Sequence, residues 1–480
     1  MKQIEQKRRS AEAQKNNRAT VKKGAILFIL FFFCSSVLLL FCSIDAYAFE
    51  FKKQVLPNGL TVLHAERHNL PVVMVTLLIK ASPLNEPDDK AGLAYLTSNM
   101  LTEGTSKRKA AEISEEIEFI GASMGASTAS DYTTISLSVL KKDIEKGFEL
   151  FSDVLLNPSF PEAEIRRKKD MIKGSLRQSE DDPSFVAERA FIKEVFGGHP
   201  YGRLVNGSIE SIDNIGRDDI VDFYRKYYLS DNAILSVVGD LTSGDLDSII
   251  SKYFGLWRAE VATPGTQGSE RMAQGEDVRK GYKIVIIDKN VTQATIIFGH
   301  AGICRSNPDY YAASVMNYIL GGGGFASRLM KSVRDEMGLA YSIYSFFSAN
   351  KDPGQFEVSV QTKNESASTV IKEIMRQIKN IRTETVSDLE LEDAKAYLTG
   401  SFPRRFETSK SIAGFLTAQQ FYNLGDDYIE RYASYIKAVT KEDVLRVAQK
   451  YLSAENYVLA VVGNKKKINL SDLQPSENIH

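Results

Sequence analysis

The sequence predicts an α+β protein of two homologous domains, each a mainly antiparallel sheet covered by helices. Three observations lead there. The chain is 480 residues long, more than one typical domain holds. It repeats itself: "DDIVDFYRKYYLSDNAILSVVGD", ending at Asp240, is matched by "EDVLRVAQKYLSAENYVLAVVGN", ending at Asn464. Each copy is an acid-capped amphipathic helix followed by an apolar strand closed by glycine. Gly239 and Gly463 lie 224 residues apart, so the repeating unit is a whole domain. Finally, several segments alternate apolar and polar residues in the period of a half-covered strand.

Taken in order, "LTVLHAERHNLPVVMVTLLI" (60–79) has the pattern of a hairpin. "TTISLSVL" (133–140) puts Ile135, Leu137 and Val139 on one face, and "QFEVSVQT" (355–362) does the same with Phe356, Val358 and Val360. Such strands imply sheets with one face covered and one freer. The runs "AAEISEEIEFIG" (110–121) and "STVIKEIMRQIKNI" (368–381) have the spacing of covering helices. "FASRLMKSVRDEM" (325–337) reads as a helix stopped by Gly338, and "LAYSIYSF" (339–346) as the strand after it. A polar, Gly-bearing stretch, "VATPGTQGSERMAQGEDVRKG" (261–281), separates the copies. The expected division is 1–48 leader, 49–262 first domain, 263–282 linker, 283–466 second domain and 467–480 tail.

The formal net charge is −1, which argues against a nucleic-acid partner. The charge is uneven: residues 1–48 carry eight Lys/Arg against three Asp/Glu, leaving the rest at −6. The basic start precedes "AILFILFFFCSSVLLLFC" (25–42) and the small-x-small triplet Ala46-Tyr47-Ala48. This order is that of a secretory signal cleaved after Ala48. The apolar core is also close to the ~20 residues of a membrane helix, so an uncleaved inner-membrane anchor is the alternative. Both readings export residues 49–480, to the periplasm if the cell is bacterial, and confine membrane contact to the N-terminal segment. Two of the three cysteines lie in the leader; Cys304 stands alone, which excludes an intrachain disulfide and a Cys-rich zinc site. It reads as a small core residue.

In "GLAYLTSNMLTEGT" (92–105), Asp88 or Asp89 is the expected N-cap, and Leu93, Leu96 and Met100 form the apolar stripe. Tyr95, Ser98 and Asn99 share a second face at i, i+3 and i+4. Together with "LPNGLTVL" (56–63), "NPSFPEAEI" (157–165), "HPYGRLVNGS" (199–208) and "GGGGFASRLMKSVRDEMGLAYS" (321–342), this segment resembles the insulinase/pitrilysin family of zinc peptidases. The resemblance is to the two-domain branch that includes mitochondrial processing peptidase. It spans the mature length and implies that fold.

The family's helix reads G-L-A-H-F-x-E-H-M-x-F-x-G-T, with two His ligands and a Glu that activates water. Here Tyr95, Ser98 and Asn99 occupy those positions. A phenol with pKa near ~10 and an amide are poor zinc ligands, and a hydroxyl cannot serve as that base. The family's third ligand, a Glu on a later helix, falls near Gly174-Ser175. The resemblance therefore implies no zinc in this chain and no activity alone. The remaining histidines supply no substitute set: His64 and His68 read as exposed turn residues, His199 as loop packing and His300 as a satisfied strand histidine.

Arg334 and Tyr341 read on their own as a surface arginine and a half-buried tyrosine. In the family, an Arg and a Tyr at this spacing reach from the second domain to the zinc site. Arg334 would then hold substrate backbone or carboxylate, and Tyr341 would donate to the oxyanion. Gly321, Gly322, Gly323 and Gly324 resemble a shortened form of the glycine-rich, substrate-handling loop of the processing peptidase's non-zinc subunit. They lack the Gly-Lys-Ser/Thr ending of a phosphate loop. The resemblance implies the non-zinc subunit of an exported heterodimeric metallopeptidase, with a homologous zinc-bearing partner and a peptide substrate. The alternative is an inert pseudopeptidase acting as scaffold or peptide-binding protein.

Overall fold

The computed structural model describes residues 49–259 and 281–471. The leader, nearly all of the linker and the end of the tail lie outside them. Among the described residues, no helix is long and apolar enough to cross a membrane.

Two sheets organise the chain. The first contains β1 (Lys52–Val55), β2 (Thr61–Glu66), β3 (Val72–Ile79), β4 (Ser123–Thr128), β5 (Thr133–Leu140) and β6 (Ala233–Gly239), in the order β1-β2-β6-β3-β5-β4. The second contains β7 (Lys283–Asp288), β8 (Gln293–Ala301), β9 (Ala340–Phe347), β10 (Gln355–Lys363) and β11 (Val458–Gly463), in the order β7-β11-β8-β10-β9. Apart from β1 the two orders are the same. Each sheet has one parallel pair, β2 with β6 and β7 with β11; the other pairings are antiparallel.

The expected hairpin at 60–79 is not formed. β6 enters between β2 and β3, pairing parallel with β2 (Thr61 opposite Ile234) and antiparallel with β3 (Ile79 opposite Ala233). Alternation reports which face a residue takes, not which strand lies beside it. The late, wholly apolar β6 displaces the local partner. Two consequences follow for the histidines. His64 is buried, with Nε2 3.1 Å from the Leu241 carbonyl, whereas His68 is exposed as expected and its Nδ1 lies 2.6 Å from Asp240 Oδ1.

The one-face-covered expectation holds for β5, where Ile135, Leu137 and Val139 are buried and the residues between them are not, but it fails for the central strands. β6 and β11 are buried at every position, because helices cover both faces. On the first sheet, helices Leu93–Met100 and Ile144–Leu156 join Val73, Val75, Leu77, Leu235 and Val237 in one core. Its central strands β3 and β6 also receive helix Ser409–Phe421 from the second half. Reciprocally, helix Pro183–Phe196 from the first half covers β8 and β11. Its Val186, Ala187, Phe191, Ile192 and Phe196 pack with Ile297, Val458, Ala460 and Val462. Each sheet thus borrows a helix from the other half. Helix Ala110–Phe119, expected as a cover, buries only Ile113 and flanks the sheet instead.

Where the halves meet, the buried carboxylate of Asp131 is the main polar joint. It accepts from the Tyr201 hydroxyl, from the Tyr422 hydroxyl at 2.7 Å and from the Lys351 backbone N–H at 2.7 Å. Burial, reinforced by the Asp131 charge, pushes both phenols well above the usual tyrosine range, so they stay donors. A second polar contact pairs two acids, Glu188 of helix Pro183–Phe196 with Glu357 of β10. Burial and mutual repulsion raise Glu357, and burial raises Glu188, so the pair retains a proton.

Candidate functional site

Helix Leu93–Met100 folds as the sequence predicts, but its start is held differently. Gly92 (φ 96°) is the N-cap, and neither Asp88 nor Asp89 caps it. The buried Glu86 does so from outside the helix, accepting from Gly92 N–H at 3.1 Å and Ala94 N–H at 2.8 Å. The "HPYGRLVNGS" segment also packs here, its Gly207 lying so close to the Ala91 carbonyl that a side chain there would collide with it, and beyond the segment Ser211 donates from Oγ to the same carbonyl at 2.7 Å.

Burial raises the Glu86 carboxyl to about 7, against the two N–H bonds that favour its charge. The unfolded chain therefore loses this proton first, and the contribution of Glu86 to stability falls as pH rises from about 4.5 to about 7. Glu86→Gln is expected to shrink the loss of stability between pH 5 and 8 by about 2–3 kcal/mol, measured by urea unfolding at each pH. An unchanged pH difference would refute this assignment.

The chemical face of the helix is occupied by its own bonds. Ser98 is 1% exposed; its Oγ donates to the Tyr95 carbonyl at 2.9 Å and lies 3.0 Å from Thr128 Oγ1. Asn99 Nδ2 donates to the same carbonyl at 2.8 Å, and the Tyr95 ring packs against the core. Helix Glu162–Ser179, which would supply the third ligand, does pack on this helix. Gly174 and Ser175 are exposed on it. Beyond the helix, Glu103 is already paired with Arg167 and, at 2.6 Å, with Lys168. Among the described residues, no group of three or more His, Cys, Asp or Glu is arranged to hold a metal. The donors present do not fit catalytic zinc. Equilibrated with zinc and desalted, the untagged chain is expected to retain far less than one equivalent by mass spectrometry of the metal. Stoichiometric retention would overturn that reading.

The other histidines are bonded as structural groups. His199 Nδ1 accepts from Tyr201 N–H, with Nε2 3.3 Å from Asp352. His300 Nε2 accepts from Ser453 N–H at 3.1 Å, and burial lowers the ring to about 4. Cys304 is half-buried beside Ser306 rather than a core residue.

In the second half the backbone itself is irregular where Arg334 and Tyr341 lie. The expected helix at 325–337 is a 3-10 turn (Gly324–Ala326) followed by π-helical Met330–Glu336, with Met337 N–H reaching back five residues to Ser332. Gly338 ends it at φ 65°, and its N–H bonds the Arg334 carbonyl. The left-handed conformation needed there favours glycine. A second π-helical turn, Tyr318–Gly322, precedes the loop. β9 then carries a bulge: Ala340 pairs with Thr362 and Ile343 with Val360, so Tyr341 and Ser342 together oppose Gln361. Both side chains consequently face outward, where a regular strand would turn one inward. The equivalent pairing of β4 with β5 has no such break.

These irregularities bring together what the sequence separates. The Arg334 guanidinium lies 4.5 Å from the Phe325 ring centre and 5.5 Å from that of Tyr341. Among the described residues, no carboxylate pairs with Arg334. Tyr341 is 88% exposed and Phe325 72%. Sequence reasoning missed Phe325; an aromatic directly after four glycines was the available signal. Arg328 anchors the loop through Nε to Glu390 Oε1 at 2.6 Å and Nη2 to Oε2 at 2.9 Å.

The glycine run divides in two. A side chain at Gly321, Gly322 or Gly323 would collide with Ser345, Asn317 or Tyr318 of this same chain. Those three allow close internal packing. Only Gly324, at φ 56° with open space around it, shapes the exposed turn that presents Phe325.

The comparisons with known proteins agree with this fold. Residues 61–208 match the model of the insulinase family (peptidase family M16), and residues 214–398, which contain Arg334 and Tyr341, match that of the "peptidase M16 inactive domain". The chain is 24% identical to the "Uncharacterized zinc protease YmxG" of Bacillus subtilis over 86% of its own length and 98% of the relative's. It is 26% identical to an "Uncharacterized zinc protease" of Streptomyces coelicolor over 88% of its length and 91% of the relative's. The crystal structure of a peptidase M16 inactive domain from Pseudomonas fluorescens superposes with a TM-score of 0.78 at 28% identity, covering 88% of this chain and all of that one. A protease from Helicobacter pylori shares the fold, with a TM-score of 0.80 at 22% identity over 87% of this chain and all of that one. The chain belongs to the insulinase/pitrilysin (M16) family and carries its inactive-type C-terminal domain.

Proposed function

We propose that this chain is the non-zinc subunit of an exported heterodimeric peptidase and lends Arg334 and Tyr341 to the zinc site of a homologous partner. The observation that carries the reading is a contrast. In the first half, Ser98 and Asn99 spend their polar groups on their own helix, whereas in the second a guanidinium with no carboxylate partner among the described residues meets an exposed phenol at a bulge and a π-helical turn. Irregular backbone of this kind gathers at functional sites.

Zinc on the partner would supply the activated water. From this chain, Arg334 brings a planar fork of donors for a peptide carbonyl or carboxylate, and Tyr341 an O–H for the oxyanion that develops at the scissile carbonyl. The spacing of the two groups lets one substrate backbone meet both. Gly324 and the turn after it line the approach. The basic, apolar leader supports export, with residues 25–42 as the membrane segment if uncleaved.

Mixing the purified chain with a homologue that bears an intact His-x-x-Glu-His helix tests this directly. Zinc-dependent peptide cleavage above that of the homologue alone is expected. Equal cleavage with and without this chain would leave the scaffold reading in its place.

A further inference from the structure

We infer that Phe325 is a positioning residue for Arg334, holding the guanidinium against its ring so that the donor fork stays aimed at the substrate site. The inference rests on the in-trans role of Arg334 proposed above, but its geometric part does not.

Phe325 is largely exposed, and Gly324, with its positive φ, sets the turn that lifts it from the surface. The guanidinium carbon lies 4.5 Å from the ring centre, within cation–π range, while Tyr341 is a second aromatic neighbour at 5.5 Å. A free arginine side chain samples many rotamers, and a carboxylate partner would fix it but also neutralise it. An aromatic partner fixes the cation and leaves its charge and edge donors available. For a group that must meet an anion supplied by another molecule, the ring is the better anchor. The loop is in turn fixed below by the Arg328–Glu390 pair.

The test has two readouts. In the isolated chain, the Arg334 Nε–Hε resonance, assigned by its loss in Arg334→Lys, should be displaced by the ring current. It should return toward the exposed-arginine position in Phe325→Leu and remain displaced in Phe325→Tyr. In the zinc-dependent mixed assay, Phe325→Ala and Phe325→Leu should lower kcat by roughly 2–5-fold with little change in KM, as loss of one exposed cation–π contact implies. Phe325→Tyr should restore it. Melting curves should not change, because the side chain is at the surface.

An undisplaced resonance overturns the inference, as does unchanged kcat in Phe325→Leu while Arg334→Ala is impaired. If neither Phe325 nor Arg334 variants alter the assay, the in-trans reading itself falls.

Discussion

Arg334→Ala, assayed with a zinc-bearing homologous chain, is expected to lower kcat/KM for peptide cleavage by about 10²–10³-fold, the usual cost of removing a preorganised transition-state donor. Tyr341→Phe should lower kcat by about 10²-fold and leave KM nearly unchanged, because a phenol hydrogen bond to the developing oxyanion does not exist in the ground state. Among the described residues, neither side chain has a stabilising partner beyond the ring contacts, so thermal melts and association with the partner should match the unmodified protein. Activity equal to the unmodified mixture in either variant would remove that residue from the reaction. Loss of association instead would make the group an interface residue.

The second large effect is on stability. Asp131→Ala removes the acceptor shared by the Tyr201 hydroxyl, the Tyr422 hydroxyl and the Lys351 N–H. Each phenol is then left without that bond in a buried setting, at about 1–3 kcal/mol per unsatisfied group. A combined loss of about 3 kcal/mol or more is expected in urea unfolding. The effect should be non-additive in a cycle with Tyr422→Phe, because the double variant deletes both sides of one bond. Asp131→Ala and Tyr422→Phe effects that simply add would show that the bond between these two side chains does not help to join the halves.

Much of this architecture was legible in the sequence, and the failures share a cause. The repeat ending at Gly239 and Gly463, the strands around Ile135 and Val358, and the altered zinc face at Tyr95, Ser98 and Asn99 are local patterns. They survive folding because side-chain periodicity and side-chain chemistry belong to the segment itself. The neighbour of β2 does not. β6 lies some 170 residues later, and no periodicity in 60–79 announces that it will displace β3. The cap from Glu86 was hidden for a similar reason: it reaches the helix from outside, past two aspartates better placed in sequence. At Arg334 and Tyr341, the sequence placed one group at the end of a helix and the other at the start of the next strand. The means of convergence, a π-helical turn and an extra strand residue, leaves no mark in composition. That geometry also gives meaning to the aromatic that follows the four glycines, Phe325.

The borrowed helices give the first half a structural task that does not depend on its metal face. Helix Pro183–Phe196 belongs to the first half by sequence but roofs the sheet whose edge strand bears Tyr341. Substitution at Tyr95, Ser98 and Asn99 alters nothing in that roof, so the chemistry of the first half can be erased without loosening the second. Deleting the first half would instead strip the apolar side of β8 and β11 bare. The first half is thereby retained as masonry, bound to its neighbour by the exchange of helices whatever its metal face carries.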